Sequence, residues 1–208
     1  IGSLKNNEQL VIKNKNNHKM INFISQFRKG EQFKEYGDDY YIENKLLPII
    51  YRYCLKNNYR FNILCASNTQ GEKEFYKKIL YYKKEINFME KIHPYDNYKR
   101  LDSSTLNIFI DSAMGYESLA RGNKTIACSL RLSKTEESFQ FGWPNHNIFK
   151  QKNYVLNEIN EDYIFSKINY IIKLTDNEWL FEIKDFKIIM ENDKNNATLS
   201  DKVRDIIS

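Results

Sequence analysis

Short apolar runs alternate with amphipathic segments over the first 130 residues, and this alternation restricts the fold more than any other feature of the sequence. Five runs are short and apolar enough to be buried strands, at residues 20–24, 61–66, 86–89, 106–110 and 124–130. Between them, apolar residues recur at helical spacing in residues 40–54, 72–81, 96–101 and 116–121. This order predicts an α/β fold, a Rossmann-like and mainly parallel sheet with helices on both faces. Ligands of such sheets bind beyond the carboxyl ends of the strands.

Proline and glycine mark two positions inside this pattern. Pro48 is expected to kink the first helical segment or to stand in its first turn, and Gly122 is expected to stop the helix that precedes it. Beyond residue 131 the periodicity lapses through a long loop with the aromatic residues Phe139, Phe141 and Trp143. It returns in helices at 161–174 and 199–207. Long loops in compact domains are often functional.

The length and the first residues predict one domain behind a linker. With 208 residues, 41% of them hydrophobic, the chain can bury one sizeable core. Residues 1–19 are polar and rich in Asn, so we interpret them as a linker from an upstream domain and residues 20–208 as a single domain. The first residues lack the features of a signal peptide. No apolar run approaches the roughly 20 residues that a membrane span requires.

The charge indicates which partners the chain can bind, and the cysteines indicate the compartment. The net charge of +5 arises from 32 basic and 27 acidic residues that are interspersed, which suits a phosphate-bearing ligand or an anionic membrane surface. The sequence has no basic stripe with interleaved aromatics, so we expect no nucleic-acid partner. The three cysteines, Cys54, Cys65 and Cys128, lie in apolar stretches without CxxC spacing and are expected in the core. We therefore expect a cytoplasmic protein that can associate peripherally with the inner face of the membrane.

The segment 108–122 is the strongest candidate for a binding site, because a strand, a tight connection and a helix follow one another there. Ser112 is a good N-cap, and Gly115 allows close approach to the first helical turn, so Ser112, Met114, Gly115 and Tyr116 together form a candidate phosphate cradle. Glu117 lies too far along for the capping-box position, so its carboxylate can bind a ribose diol. The alternative is that Ser112 only caps the helix and Glu117 is solvated.

Other candidate ligand contacts follow the remaining strands. His93 precedes Pro94, which restricts it to an extended conformation directed out of the sheet, where an imidazole can donate to phosphate. Ser25, Gln26 and Arg28 follow the first strand, and Arg131 follows the fifth. The alternative for both arginines is a surface role. Because no His/Cys cluster or DxD-like motif occurs, we expect neither a metal nor a cofactor.

Four sequence segments resemble the carboxy-terminal, donor-binding domain of GT-B glycosyltransferases that build bacterial surface carbohydrate or capsule: ISQFR at 24–28, KIHP at 91–94, FIDSAMGYESLARGNKT at 109–125 and FGWP at 141–144. The likeness extends to transferases that use CMP-activated sialic acid or Kdo and to CDP-glycerol glycerophosphotransferases. It implies that His93 contacts the donor phosphate, that Ser112 to Gly115 bind phosphate, and that Glu117 holds the ribose.

The resemblance implies half of an active site. The donor would be a nucleotide sugar, with a CMP-linked sugar preferred, and the glycan or lipid-linked acceptor and the catalytic base would belong to an amino-terminal domain. One departure is that Ser103-Ser104-Thr105, the nearest equivalent of a paired-serine motif, precede a strand instead of following it. Two alternatives stay open: a sugar-nucleotide epimerase half, or a non-catalytic phospho-ligand or regulatory α/β domain. A receiver-type regulator would need acidic residues where Ser25 and Gln26 stand.

Overall fold

The computed structural model describes residues 4–8, 11, 19–27, 42–66, 69–81, 86–93, 95–130, 140–142 and 145–207. Its centre is a parallel sheet of six strands in the order β3-β2-β1-β4-β5-β6. The strands are β1 (Met20–Ile24), β2 (Arg60–Leu64), β3 (Ile86–Met89), β4 (Leu106–Phe109), β5 (Thr125–Cys128) and β6 (Val155–Leu156). The predicted Rossmann-like α/β fold is confirmed.

Helices surround the sheet. They are α1 (Leu4–Asn7), α2 (Glu43–Lys56), α3 (Gln70–Ile79), α4 (Asp96–Ser103), α5 (Ala113–Ala120), α6 (His146–Phe149), α7 (Glu161–Lys173), α8 (Asp176–Glu182) and α9 (Ala197–Ile207). Short 3-10 turns occupy Lys184–Ile188 and Lys194–Asn196. Within the described residues, no helix is long and apolar enough to cross a lipid bilayer.

The chain's direction through the sheet reverses at β3. From β1 to β3 it moves one way, and from β3 to β6 it moves the other way past β1. Since parallel crossovers are right-handed, α2 and α3 lie on one face, whereas α4 and α5 lie on the other. Contacts agree: the Phe23 and Tyr76 rings lie 6.0 Å apart on the first face, and Asn22 Nδ2 donates to the Arg100 carbonyl on the second at 3.1 Å. The predicted helices on both faces are thereby confirmed.

A row of asparagines crosses the sheet beneath α4 and α5, and three of the four, at Asn62, Asn22 and Asn107, are buried. Asn87, Asn62, Asn22 and Asn107 occupy one register position on four neighbouring strands. Each side-chain nitrogen donates to the next oxygen, at 3.2, 2.9 and 3.0 Å. Asn107 then donates to the Leu101 carbonyl at 3.1 Å. The three buried amides therefore all have partners, as buried polar groups require, and the exposed Asn87 donates into the end of the row.

Several local predictions are confirmed, and others need correction. Gly122 has φ +74° directly after the last turn of α5, and its N–H donates to the Leu119 carbonyl at 2.8 Å, so it is the expected helix stop. The three cysteines are buried. Pro48 lies inside α2, beyond its first turn. The sequence pattern does not predict α6, α8 or β6, although Thr175 and Glu178 form a capping box that marks the start of α8.

The amino-terminal residues contact the main body of the domain. Arg121 Nη1 donates to the side-chain oxygen of Asn6 at 3.1 Å. Asn7 Nδ2 donates to the side-chain oxygen of Asn196 at 2.9 Å, just before α9 begins. Residues 4–8 therefore lie beside the start of α9. The interpretation of residues 1–19 as a linker stays a prediction.

Candidate functional site

The carboxyl edge between β1 and β4 is the topological switch point of the sheet, because the chain leaves these neighbouring strands toward opposite sides. In open α/β sheets, the crevice outside such a point is where ligands bind. Ser25 and Gln26 follow β1, and Asp111 and Ser112 follow β4. Four residues that continue the two central strands therefore meet at this crevice.

Ser25 is buried in a polar network that the protein completes by itself. Its hydroxyl donates to Glu72 Oε1 at 2.5 Å, lies 2.9 Å from the Tyr76 hydroxyl, and accepts the Phe27 N–H at 3.1 Å. Burial raises the pKa of Tyr76, so its hydroxyl stays protonated and can donate to Ser25. One donor and two acceptor positions exhaust a serine hydroxyl. The ligand contact that the sequence predicts for Ser25 stays a prediction, since it requires one of these bonds to break.

Gln26 differs from Ser25, because within the described residues its buried side-chain oxygen has no hydrogen-bond partner. A buried carbonyl of this kind is costly unless a ligand or water satisfies it. Gln26 thus stays a candidate ligand contact. The predicted contacts Arg28, Pro94 and Arg131 lie outside the described residues, as do Trp143 and Pro144 of the FGWP segment.

Ser112 is the N-cap of α5, but its side chain makes no capping hydrogen bond. Its backbone is extended, with φ −75° and ψ 131°, and its carbonyl accepts the Gly115 N–H at 2.9 Å. The first turn of α5 contains no acidic residue. The cap that the sequence predicts is present in backbone geometry only, so the hydroxyl is not used to satisfy the helix.

Gly115 does bring two groups close together, but the approaching group belongs to the protein. A Cβ atom at Gly115 would lie 2.1 Å from two atoms of the Phe109 ring. Phe109 is the last residue of β4 and is fully buried. The missing side chain therefore makes room for the aromatic ring under the helix. The ligand role that the sequence predicts for Gly115 stays a prediction.

Met114 and Tyr116 pack α5 against the domain. Both are partly buried beside the hydrophobic core. The Tyr116 ring lies 5.2 Å from that of Phe141, and its hydroxyl accepts the Gly142 N–H at 3.1 Å. Burial raises the pKa of Tyr116, and the nearby Asp111 carboxylate acts in the same direction. The contact ties α5 to the FGWP segment, and the predicted ligand roles of Met114 and Tyr116 stay predictions.

Glu117 is buried, with 8% of its surface exposed, so the alternative of a solvated helix glutamate is wrong. Its Oε2 accepts the Tyr98 hydroxyl at 2.9 Å. A buried carboxylate is costly unless hydrogen bonds satisfy it. Glu117 lies in the second turn of α5, two residues beyond Gly115, and this placement is compatible with the predicted ribose contact.

His93 lies in the loop between β3 and α4, and its side chain is exposed. Its backbone N–H donates to Asp96 Oδ2 at 2.7 Å, and that of Ile92 donates to the same oxygen at 2.9 Å. Both bonds lower the pKa of Asp96, and the bond from the His93 N–H has the larger effect. The carboxylate therefore occupies the backbone donors beside His93, and the imidazole is left as the group that can reach a ligand.

The two candidate regions, around His93 after β3 and around Ser112 after β4, lie at the same edge of the sheet. Their strands, β3 and β4, are separated by β2 and β1. However, α4 crosses back over the face and packs against α5, where the hydrogen bond between Tyr98 and Glu117 joins the two helices. His93 and Ser112 thus each precede one of two adjacent helices, and sequence order alone did not show this.

A cavity of about 280 Å³ opens beyond the carboxyl ends of β5 and β6. Its walls are formed by Ser129, Gln140, Phe141, Phe149, Lys150, Val155 and Asn157. The sequence indicated a functional loop around Phe141. It gave no signal for the residues near β6, because a strand of two residues has no recognisable pattern.

Comparison with known proteins places this architecture in a biosynthetic context. Over residues 1–206 the chain matches the family described as "putative O-antigen biosynthesis protein". The chain belongs to this O-antigen biosynthesis family. The predicted link to surface-carbohydrate biosynthesis is confirmed at this level. No curated protein matches the chain.

Solved structures similar to this chain show a GT-B-type fold. UDP-GlcNAc 2-epimerase from Methanocaldococcus jannaschii, solved with UDP-GlcNAc and UDP, has a TM-score of 0.50 and 10% identity, over 76% of this chain and 39% of that chain. A "putative UDP-N-acetylglucosamine 2-epimerase" from Listeria monocytogenes has a TM-score of 0.52 and 12% identity, over 87% and 45%. TarM has a TM-score of 0.48 and 14% identity, over 95% and 37%. This chain therefore spans less than half of each.

Proposed function

We propose that this O-antigen biosynthesis protein binds a nucleotide-activated sugar at the start of α5 and takes part in its transfer to a growing glycan. One observation carries the proposal. Of the helices of eight or more residues that directly follow a strand in the described chain, α5 alone has no acidic residue in its first turn. It also stands at the switch point of the sheet, where such folds bind ligands.

The start of α5 suits a phosphate group. Backbone N–H groups of a first turn point along the helix axis, and the helix dipole adds a partial positive charge. The Ser112 hydroxyl can donate a further bond, because it does not cap the helix. These donors would stabilise a nucleotide leaving group as its charge develops, without requiring a metal ion. In this proposal His93 donates from the neighbouring loop.

Glu117 supports the nucleoside part of the ligand. Its carboxylate lies one turn beyond the proposed phosphate position and keeps limited exposure. A carboxylate accepts two hydrogen bonds from the vicinal hydroxyls of a ribose well, and bonds to charged acceptors are stronger than neutral ones. We assign Glu117 the recognition of the ribose diol.

The acceptor and the catalytic base belong, in this proposal, to a domain outside the sequence of 208 residues. The similar solved structures are more than twice as long as the region they share with this chain. The acceptor would be a glycan or a lipid-linked glycan presented at the membrane surface.

The first experiment is a ligand screen of the protein by thermal shift and calorimetry, with CMP, CDP, UDP and GDP. From the resemblance of the His93 region to CMP-sugar enzymes, we expect the strongest protection from a cytidine nucleotide and no change on adding EDTA. Stronger protection by UDP or GDP would overturn the base assignment. No melting shift with any nucleotide would favour the regulatory alternative. Conversion of a nucleotide sugar to its epimer without an acceptor would favour the epimerase.

The second experiment addresses Glu117 in the same assay. Replacing Glu117 by Gln should weaken ribonucleotide binding by about 1.5–3 kcal/mol, the range for hydrogen bonds to charged groups. The loss should be much smaller for the 2′,3′-dideoxy nucleotide, which lacks the diol. Glu74→Gln, at an exposed site in α3, is the matched control. An equal loss for both ligands would remove the ribose assignment.

A further inference from the structure

Behind Glu117 lies a buried set of contacts that the predicted site did not include. Tyr98 is in the first turn of α4 and has only 3% of its surface exposed. Its hydroxyl donates to Glu117 Oε2 at 2.9 Å. A second carboxylate oxygen is left to accept bonds from another group. Tyr98 thus holds one side of the carboxylate from a neighbouring helix.

The Tyr98 ring is itself held by two neighbouring side chains. The guanidinium carbon of Arg121 lies 5.2 Å from the ring centroid, and the Tyr95 ring stacks at 6.4 Å with planes inclined by 28°. A cation over a tyrosine face is attracted by the ring quadrupole, and more strongly where water is excluded. The tyrosine is therefore held in orientation as well as in position.

Arg121 is anchored in turn by a buried ion pair with Asp102. The guanidinium makes two hydrogen bonds to the carboxylate, and the two side chains are only 1% and 2% exposed. Asn123 Nδ2 donates to the same carboxylate at 2.9 Å. A two-pronged arginine–carboxylate pair has little freedom to reorient. The path Asp102–Arg121–Tyr98–Glu117 is consequently a rigid support from α4 and α5 to the proposed ribose contact.

We propose that Tyr98 is a positioning residue that fixes the Glu117 carboxylate for the vicinal diol of a ribonucleotide. The inference rests on the proposed function. A free glutamate side chain loses rotamer entropy when it binds, and a carboxylate already held by one oxygen loses less. The Tyr98 hydroxyl therefore contributes to ribonucleotide affinity and to the preference for ribose over dideoxyribose without contacting the ligand.

The test is Tyr98→Phe, which keeps the ring against Arg121 and removes only the hydroxyl. Binding of CMP, CDP, UDP and GDP and of their 2′,3′-dideoxy analogues is measured by calorimetry. For the ribonucleotide that binds most tightly, we expect a loss of about threefold to tenfold, within the coupling range for residues in contact. We expect the dideoxy analogue to bind the variant and the parent protein equally. In the Glu117→Gln background, Tyr98→Phe should cause no further loss.

Tyr95→Phe is the matched control. It removes a hydroxyl from the same region, and that hydroxyl donates to the exposed Glu8 at 3.4 Å and not to Glu117. It should leave both affinities unchanged. If Tyr98→Phe weakens the ribonucleotide and its dideoxy analogue equally, or weakens neither, the positioning role is overturned. If Glu117→Gln itself has no effect on ribonucleotide binding, the ribose assignment fails, and the positioning proposal falls with it.

A ligand-free measurement checks the contact separately from binding. Chemical unfolding of Tyr98→Phe, Glu117→Gln and the double variant should give non-additive stabilities, since the two side chains share one hydrogen bond. Additive stabilities would show that the two groups are not coupled in the folded protein, which also overturns the proposal. Because this readout needs no nucleotide, it tests the contact between the two side chains independently of the proposed ligand.

Discussion

The starts of α4 and α5 occupy equivalent places in the fold yet differ in what they offer a ligand. Each helix follows a parallel strand at the carboxyl edge, and the two pack side by side. At α4, Asp96 accepts the backbone N–H groups of Ile92 and His93. At α5, Ser112 makes no side-chain cap and no acidic residue follows in the first turn.

This difference shows that helix geometry alone does not make an anion site. Both helices have a dipole with its positive end at the same edge. Asp96 satisfies part of that positive potential with its own carboxylate, so a phosphate at α4 would meet a like charge. At α5 the Ser112 hydroxyl makes no capping bond, so in the proposed function it is left to a ligand. The proposed phosphate position therefore depends on the absence of an acidic side chain from the first turn of α5.

Gly115→Ala should have the largest effect of the variants proposed here. It tests whether the helix α5 needs a glycine to pack closely on β4. The new methyl group would lie 2.1 Å from the buried Phe109 ring, so the helix must move away from β4. We expect the free energy of unfolding to fall by at least about 3 kcal/mol, the upper end of the overpacking range. Chemical denaturation measures it.

Gly71→Ala is the control for that substitution. Gly71 is also inside a helix, α3, but its nearest neighbour to an added Cβ is an atom of Phe27 at 3.8 Å, an ordinary contact. Alanine is a better helix former by about 0.5–1 kcal/mol, so this variant should be as stable as the parent or more stable. Similar losses at both positions would show that close packing on Phe109 does not explain the effect.

Ser112→Asp should have a smaller effect and would make α5 resemble α4. A carboxylate at the N-cap should stabilise the helix by about 0.3–1 kcal/mol. It should also repel a phosphate, so we expect nucleotide affinity to fall at least about tenfold, or 1.4 kcal/mol. Stability and affinity would then change in opposite directions, which calorimetry and thermal unfolding can measure on the same samples.

The neutral variant Ser112→Asn separates charge from shape. Asparagine caps helices about as well as aspartate, so Ser112→Asn should keep the gain in stability and lose less affinity than Ser112→Asp. Equal affinity losses in both variants would mean that the cap position excludes the ligand by shape. Unchanged affinity in Ser112→Asp would mean that no phosphate binds at the start of α5.

Most strands and most helices were predictable because their signals are local. Five strands appear as short apolar runs, and Ser112 precedes a helix by composition alone. The partner of Gly115 was not predictable, because its Phe109 contact depends on how closely α5 packs on β4. The hydrogen bond from Tyr98 to Glu117 was hidden for a similar reason: it joins two helices whose strands are separated by two others.

The asparagine row is a second feature that local sequence signals do not predict. Each of its four residues interrupts an apolar strand by a single polar position, which in the sequence looks like a weak point in the pattern. Only the register aligns them, and register follows from pairing between strands that are distant in sequence. A local reading therefore identifies the strands and misses what links them.

Asp96→Asn gives the smallest expected effect and tests the comparison from the α4 side. The two backbone bonds hold the pKa of Asp96 below its ordinary value of 3.8. A lowered pKa in the folded state contributes stability above the unfolded pKa, and that contribution is lost as the pH falls through the folded value. The asparagine amide oxygen can still accept both bonds, so at pH 7 the variant should be only slightly less stable. Between pH 5 and pH 2, its stability should fall less steeply than that of the parent, as measured by unfolding at fixed ionic strength.

Nucleotide affinity of Asp96→Asn should stay within about twofold of the parent value, since α4 holds no phosphate in this proposal. A large gain in affinity would show that removing the carboxylate opens a second anion position beside His93, and the contrast between the two helices would then be one of degree.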